Sequence, residues 1–388
     1  MKMIQKLMPK SMPLKFTWLM LSLLILLSIT GCQKKDVAPV TPKAAASDVL
    51  STSKINQDNR YASQQKALVS FLNRKMVQKQ GIYTNVQATA NSSEVATGHE
   101  MLSESSGFWL EYLAVNGRKK EFAAFYKATK KTFDQNGQQF SYRYNPNTQK
   151  KYSVNATLDD LRILRALVIY DAVNQTDKYK KEANQRFAYL RQNCILDGHL
   201  IDYYDVKEKQ GNHSGALAYF DLRTLKYFES SKVYQRQLKV VKGGYLGDVF
   251  PLYAASFNWK TNQYAQKNLN TSEALETLLH LSEVGALKKT SRHWLAQQIQ
   301  HQSLTNGYTI NGVSVNNNQS SANYALAAMI FANVNDEKHY HQAMKIVWSS
   351  QIKNNSSGFN GGLSQAANKS YSFNNLTALT AAQFSVSP

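Results

Sequence analysis

The spacing of apolar side chains limits what this chain can fold into more than any other feature. From about residue 57 onward they recur three and four positions apart in stretch after stretch, the period of one helix face. The spacing predicts helices over 57–77, 100–115, 118–134, 157–174, 177–192, 221–240, 271–285, 290–303, 320–333, 337–350 and 372–384. Gly-, Asn- and Ser-rich breaks such as "NVNDEK" and "NNSSGFNGG" separate them. Short β-like pieces fall in the connections, "HLIDYYDV" at 199–206 and "GYTINGVSV" at 307–315. No strand alternates with helix in a βαβ rhythm and no single repeat recurs, so the chain reads as all-α. An α-solenoid or a closed toroid of helical hairpins fits this count, and the irregular connections favour the toroid. In a toroid the long connections gather at one end of the inner helices and form a cleft for an extended ligand.

The N-terminus has a different pattern. Lys2, Lys6, Lys10 and Lys15 precede an apolar run from Phe16 to Ile29, which is shorter than the ~18 residues of a membrane-spanning helix and ends in Ile29-Thr30-Gly31-Cys32. This looks like a bacterial lipoprotein signal over residues 1–31, with Cys32 the lipidated first residue of the mature chain. The expected location is the outer face of the membrane of a Gram-positive type envelope, reached through that lipid. Residues 32–56, rich in Pro, Ala, Ser and Lys, read as a flexible tether, and 57–388 as one domain. Only Cys194 is then left, so no intramolecular disulfide can form.

Of 388 residues, 46 are Lys or Arg and 26 Asp or Glu; without the first 31 the balance is 42 to 26, or +16. The basic residues are scattered and no groove-reading motif accompanies them, which argues against nucleic acid as a partner. The eight histidines show no paired ligand spacing except His339 and His341, which face apart on a helix, and "GGYLGD" at 243–248 lacks the Lys-Ser/Thr of a phosphate loop. Neither a metal nor an organic cofactor is expected, and the chain is expected to act as a monomer.

The connections are rich in Tyr, Trp and Asn, as in "FSYRYNPNTQKKY" and "FPLYAASFNWKTNQY". Aromatic faces stack on sugar rings and amides bond their hydroxyls, so carbohydrate is the ligand class this composition suits; Trp109, Tyr219 and Trp259 are the aromatic candidates. Three acidic stretches interrupt apolar helices: Ser103-Glu104, Asp159-Asp160 after Thr157, and Asp221. An Asp in a first turn is stabilised by the helix dipole by ~0.3–1 kcal/mol, which by itself explains the aspartates. Glu100 and Glu111 read as ordinary surface residues.

At these positions the chain resembles the family 8 glycoside hydrolases. "LSESSGFWLEYLAVNGRKKEFAAFYKATKKTF" at 102–133 is similar to that family's first signature, a Ser-Glu pair opening a helix with an aromatic four residues on. "ATLDDLRILRAL" at 156–167 is similar to the second, with Leu158 where the signature has Asp. "YFDLRTLKYF" at 219–228 resembles the third, with Arg223 two residues after Asp221 instead of three. The resemblance implies an (α/α)6 barrel and an inverting, endo-acting enzyme on β-linked polysaccharide. It implies Glu104 as general acid, Asp221 as general base, and Asp159 or Asp160, with Arg223, as sugar-holding groups. The chemistry is consistent with that layout. An inverting enzyme needs a protonated carboxyl at the leaving oxygen and a carboxylate ~6.5–9.5 Å away across the sugar. A Glu enclosed by Phe108 and Trp109 would keep its proton through desolvation. Two other functions stay open at this point: a non-catalytic polysaccharide-binding lipoprotein, and a solute-binding lipoprotein, the latter disfavoured by the missing strand–helix alternation.

Overall fold

The structure is a computed structural model and describes residues 37–49, 60–90, 95–364 and 369–384; Cys32 and the signal-like run lie outside them. Twelve helices build the barrel: α1 (Ala62–Lys75), α2 (Ser103–Val115), α3 (Lys119–Phe133), α4 (Thr157–Asn174), α5 (Lys180–Asn193), α6 (Leu222–Phe228), α7 (Ser231–Gly243), α8 (Thr271–Glu283), α9 (Lys289–His301), α10 (Ser321–Asn333), α11 (Glu337–Ser349) and α12 (Ser372–Ala381). The even-numbered helices pack in a closed ring, α2 on α4, α4 on α6, α6 on α8, α8 on α10, α10 on α12 and α12 on α2, and the odd-numbered ones lie outside it. This is an (α/α)6 barrel, the toroid that the irregular connections favoured over a solenoid.

The sequence assigns helices to the two rings by their polarity. Thr157–Asp171 of α4 and Ser321–Ala332 of α10 are buried on every face, whereas outer helices such as α3 and α11 bury one stripe and show charge on the other. Inner helices lead to outer ones through short reversals with left-handed residues, among them Gly117 (φ 62°) after α2 and Gly285 (φ 70°) after α8. Outer helices lead to inner ones through the long stretches 76–102, 134–156, 194–221, 244–270, 302–320 and 350–371. The N-termini of all six inner helices therefore open onto the face that carries the long connections.

Those connections hold the short strands. Met101–Leu102, Arg143–Asn145 and Lys150–Lys151 form one antiparallel sheet, and Ser214–Ala216, Ser256–Asn258 and Gln263–Tyr264 another. The β-like pieces of the sequence shrink to the two-residue strands His199–Leu200, Tyr204–Asp205 and Gly307–Tyr308.

Two expectations need correction. The single helix expected over 221–240 is two, α6 and α7, broken at Glu229-Ser230, where Ser230 caps α7 by accepting from the Val233 N–H. Residues 39–49, expected in a free tether, lie on the barrel wall. Val40 is buried, its N–H donates to the Asn184 carbonyl (3.3 Å), and Thr41 to Ser47 line a cavity of about 560 Å³ with Val168, Asp171 and Tyr227. No helix among the described residues is long and apolar enough to cross a membrane.

At Gly107 α2 comes close against a side chain of α4. A Cβ there would lie 3.1 Å from Cγ and Cδ of Arg162, whose guanidinium continues over the Phe108 ring at 4.2 Å. Gly107→Val should therefore displace Arg162 and lower stability by ~1–3 kcal/mol in urea denaturation.

Candidate active site

The long-connection face carries a groove of about 490 Å³ lined by Tyr142, Tyr152, Asn155, Asp202, Tyr203 and Tyr219, among others. Beside it, α2 and α4 present their first turns to each other. Asp159 binds the exposed N-terminus of α2, accepting from Ser103 Oγ (2.7 Å) and from the Glu104 backbone N–H, so it satisfies donors that a helix start leaves open. Arg162, one turn on, donates to Asp159 (3.5 Å) and reaches across to Glu276 of α8 (3.1 Å). Ser103, Glu104, Asp159, Arg162 and Glu276 thus form one cluster at the mouth of the ring.

Within it Glu104 is half-buried, and its carboxyl makes no hydrogen bond among the described residues. Burial pushes it up to about 8; Asp159 and then Glu276 add to this, with Arg162 opposing. Burial also raises Asp159, to about 6, against Arg162 and the Ser103 hydrogen bond. At neutral pH the proton of this pair therefore sits on Glu104. Tyr219, half-buried in the groove, has its phenol raised by burial and then by Asp159, Asp202, Glu273 and Glu104, which places it among acids from several walls.

The other residues singled out in the sequence fall elsewhere. Asp160 is buried and accepts from the Phe140 N–H and Asn155 Nδ2, both at 2.8 Å, so it anchors the loop before α4. Burial raises its carboxyl to about 8. Asp221 is fully buried as the cap of α6, bound by the Thr224 N–H (3.1 Å), Thr224 Oγ1 (2.7 Å) and Arg165 Nη1 (3.0 Å). With no exposed surface and both oxygens engaged, it does not face the groove where water would be activated. Arg223 lines a small internal cavity of about 30 Å³ with Glu111, Arg165 and His280, not the groove. Trp109 is core, stacked on Tyr112 at 5.0 Å. Trp259 stacks on His199 at 4.3 Å and donates its N–H to the Leu200 carbonyl (2.7 Å), which fixes it within the loop layer.

The two glutamates read as surface residues are not. Glu100 is buried and takes Arg143 Nε (3.0 Å) and Nη2 (2.7 Å). Glu111 takes Nε (3.1 Å) and Nη2 (2.9 Å) of Arg165. Asp221, His280 and Glu283 come close enough together to suit a cation, but Arg165 is within 3.0 Å of Asp221 and 3.9 Å of Glu283. Burial opposes charge on His280, and the Glu283 hydrogen bond and the neighbouring acids outweigh it and raise its pKa. The Arg165 guanidinium already supplies positive charge there, and the neighbouring acids favour protonation of His280.

The sequence reading missed Arg162, Glu273 and Glu276. The signal of the two glutamates was present in "TSEALETLLHLSE", where acids interrupt an apolar helix just as they do around Glu104.

No family model matches the chain, and no curated protein matches it. Solved structures do. A structure described as a novel alpha-amylase from Clostridium perfringens superposes with a TM-score of 0.75 at 26% identity, over 82% of this chain and 97% of that one. PssZ from Listeria monocytogenes gives 0.65 at 16%, over 89% and 97%. The endoglucanase Cel10 from Klebsiella pneumoniae, a family 8 glycosyl hydrolase, gives 0.57 at 15%, over 82% and 99%. The class is thus a closed ring of helical hairpins with an acid cluster at the mouth. The particular fold within it is that of the family 8 glycoside hydrolases.

Burial opposes the Asp221 charge, but Arg165, His280 and the Thr224 bonds overcome it and hold the carboxyl at about 2. Its contribution to stability is then complete above the unfolded value of ~3.9 and lost as pH falls through about 2. Asp221→Asn should cost ~2–4 kcal/mol in urea at pH 7, a gap that narrows toward pH 2. The folded variant should keep its kcat/KM within about tenfold on any substrate the protein hydrolyses.

Proposed function

We propose that the protein is a glycoside hydrolase of inverting mechanism, anchored through a lipid on Cys32 at the outer face of the cell membrane and acting on a β-linked exopolysaccharide. Glu104 carries the reading: it is a half-buried carboxyl that makes no hydrogen bond among the described residues, protonated up to about pH 8, and near enough to Tyr219 of the tyrosine-lined groove to act on that phenol. Cleavage of a glycosidic bond needs such a proton at the leaving oxygen, and desolvation is how a carboxyl retains one at neutral pH. The family 8 fold and the endoglucanase described above support the β-linked choice. The groove's tyrosines suit sugar faces, and Asn155 and Asp202 suit hydroxyls.

Attachment rests on the Ile29-Thr30-Gly31-Cys32 sequence and the lysines before it. The +16 chain would be drawn to an anionic envelope or polymer, an attraction that salt weakens. Cys32→Ala should shift the protein from the membrane fraction to the medium; retention in the membrane would overturn the lipid anchor.

The structure described as an alpha-amylase brings in α-linked glucan as a second substrate class. The mature protein should be assayed for new reducing ends from β-1,4-glucan, chitosan, the producing cell's own polymer and starch. Activity on a β-linked polymer, lost on the order of 10³-fold in Glu104→Gln with binding retained, is the expected result. Activity on starch alone selects the second reading. Binding without cleavage of any polymer makes the protein a polysaccharide-binding lipoprotein. On the active polymer, kcat/KM should fall above about pH 8, where Glu104 loses its proton, and Asp159→Asn should move that alkaline limb downward by removing a negative neighbour.

A further inference from the structure

A chain anchored by a lipid near its start can turn about its tether unless part of the tether is held, and here part of it is held. Val40 is buried and its N–H donates to the Asn184 carbonyl (3.3 Å), near the start of α5. The stretch then borders Asp171 and Gln175 at the end of α4 and Tyr227 at the end of α6, and its short helix Ala46–Val49 packs against both helices. These are the ends from which the short reversals leave. Asn155 and Ala156, just before α4, line the tyrosine-rich groove, so this strap and the groove lie at opposite ends of that helix, ~24 Å apart.

Little chain is left before the strap. Pro39 is seven residues after Cys32, a stretch that spans at most ~25 Å when fully extended. From the level of Val40, α5 rises to Asn193 ~14 Å further on, and the long connections with the groove follow it. A membrane laid against the groove would use up the reach of this stretch along the barrel wall. A membrane below the short reversals needs only a fraction of it.

The charge of that lower face agrees with the reach. Lys119 and Lys120 after α2, Lys178, Lys180 and Lys181 after α4, and Lys232 after α6 are all exposed. Phe122, in the first turn of α3, packs on Tyr170 and Tyr179 with ring centroids 4.5 and 5.5 Å apart, which holds the first two reversals side by side. The acids among these lysines are already occupied or enclosed. Asp177 is paired with Lys180 (3.2 Å) and Glu121 with Arg118 (2.8 Å), while Asp171 and Glu229 are buried. Such a surplus of ammonium groups attracts anionic headgroups that come within a Debye length, ~10 Å at 0.1 M salt. The groove's face also carries exposed lysines, Lys207, Lys209 and Lys260, so charge alone does not choose between the faces and the strap does.

We propose that the short-reversal face is a docking surface for anionic phospholipid headgroups, and that the strap at 39–49 holds it against the membrane with the groove turned outward; this rests on the lipid anchor at Cys32 read above. The groove then opens on the order of 25 Å above the headgroups, away from the bilayer.

The docking face is tested on the full mature chain carrying Cys32→Ala, which has no lipid, titrated with vesicles of phosphatidylglycerol and phosphatidylcholine. In that background Lys119→Glu, Lys120→Glu and Lys181→Glu together should weaken binding about tenfold, and Lys207→Glu, Lys209→Glu and Lys260→Glu, with the same change of charge, less than about threefold. Equal loss from the two sets, a greater loss from the second, or no binding by the parent overturns the docking face. Orientation is tested on the lipidated chain, in which Cys32 is blocked and Cys194 is buried, so that a donor dye attaches only at Lys119→Cys or Glu208→Cys. Energy transfer to an acceptor in the bilayer should be several-fold stronger from Lys119→Cys. Adding Val40→Asp, which unseats the strap, should bring the two signals together while the chain stays on the membrane with the barrel's helical circular dichroism. Equal transfer from the two sites with Val40 in place, or stronger transfer from Glu208→Cys, overturns the orientation, and a difference that survives Val40→Asp overturns the strap's part in it. Recovery of the chain with Cys32 intact from the medium overturns the anchor and the orientation together, and the vesicle titration still judges the docking face.

Discussion

An acid on a helix that is buried on every face must be paired with a cation or remain neutral, because an isolated carboxylate costs far more to desolvate than any local contact returns. The inner ring of this barrel is built of such helices, and its acids follow the rule. Glu100 is bound by Arg143, Glu111 and Asp221 by Arg165, and Asp159 and Glu276 by Arg162. Glu104 and Asp160 keep a proton instead, Asp160 beneath two N–H donors, and Glu273 keeps contact with water. Glu104 and Glu273 stand at the same end of the ring, on helices on opposite sides of its axis.

The barrel's connectivity determines which end that is. Short reversals join inner helices to outer ones and long connections lead back, so every inner helix starts at the face that carries the tyrosine-lined groove. A helix N-terminus favours negative charge by ~0.3–1 kcal/mol. Raising Glu104 from 4.5 to about 8 corresponds to at most ~5 kcal/mol in the other direction. Burial beside Asp159 therefore outweighs the dipole, and the first turn of α2 carries a neutral acid where an ionised one would be expected.

Much of this was legible in the sequence, and the parts that were not share a cause. Apolar spacing located all the inner helices, and the break at Ser230 was visible only as a capping serine within an otherwise continuous pattern. Spacing shows where apolar residues are, and on a helix with no polar face it cannot show which way a charged residue points. Glu100 and Glu111 were read as solvated for that reason, and Glu273 and Glu276 were passed over. Trp109 and Trp259 were read as sugar platforms from their type alone. The structure occupies one face of each, with Tyr112 and His199 respectively. Asp221 matched a signature by its neighbours, and the same neighbours, Thr224 above all, turn it into a helix cap.

The barrel holds two acid clusters whose protonation differs, and the number of cations decides between them. Deeper in the ring, Arg165 and His280 stand against Glu111, Asp221 and Glu283, and Asp221 is held down at about 2. At the mouth, Arg162 alone stands against Glu104, Asp159 and Glu276. One guanidinium can balance the two carboxylates it touches only in part, so the third acid is cheapest to keep neutral. Gly107 lets that guanidinium lie flat along α2 and spend its bonds on Asp159 and Glu276. The proton on Glu104 thus follows from a glycine three residues away and from Arg162 being the cation that acts on it, while Lys267 acts on Glu273 and Asp202 instead. A chain could keep every acid of this site and lose the proton by gaining one lysine there.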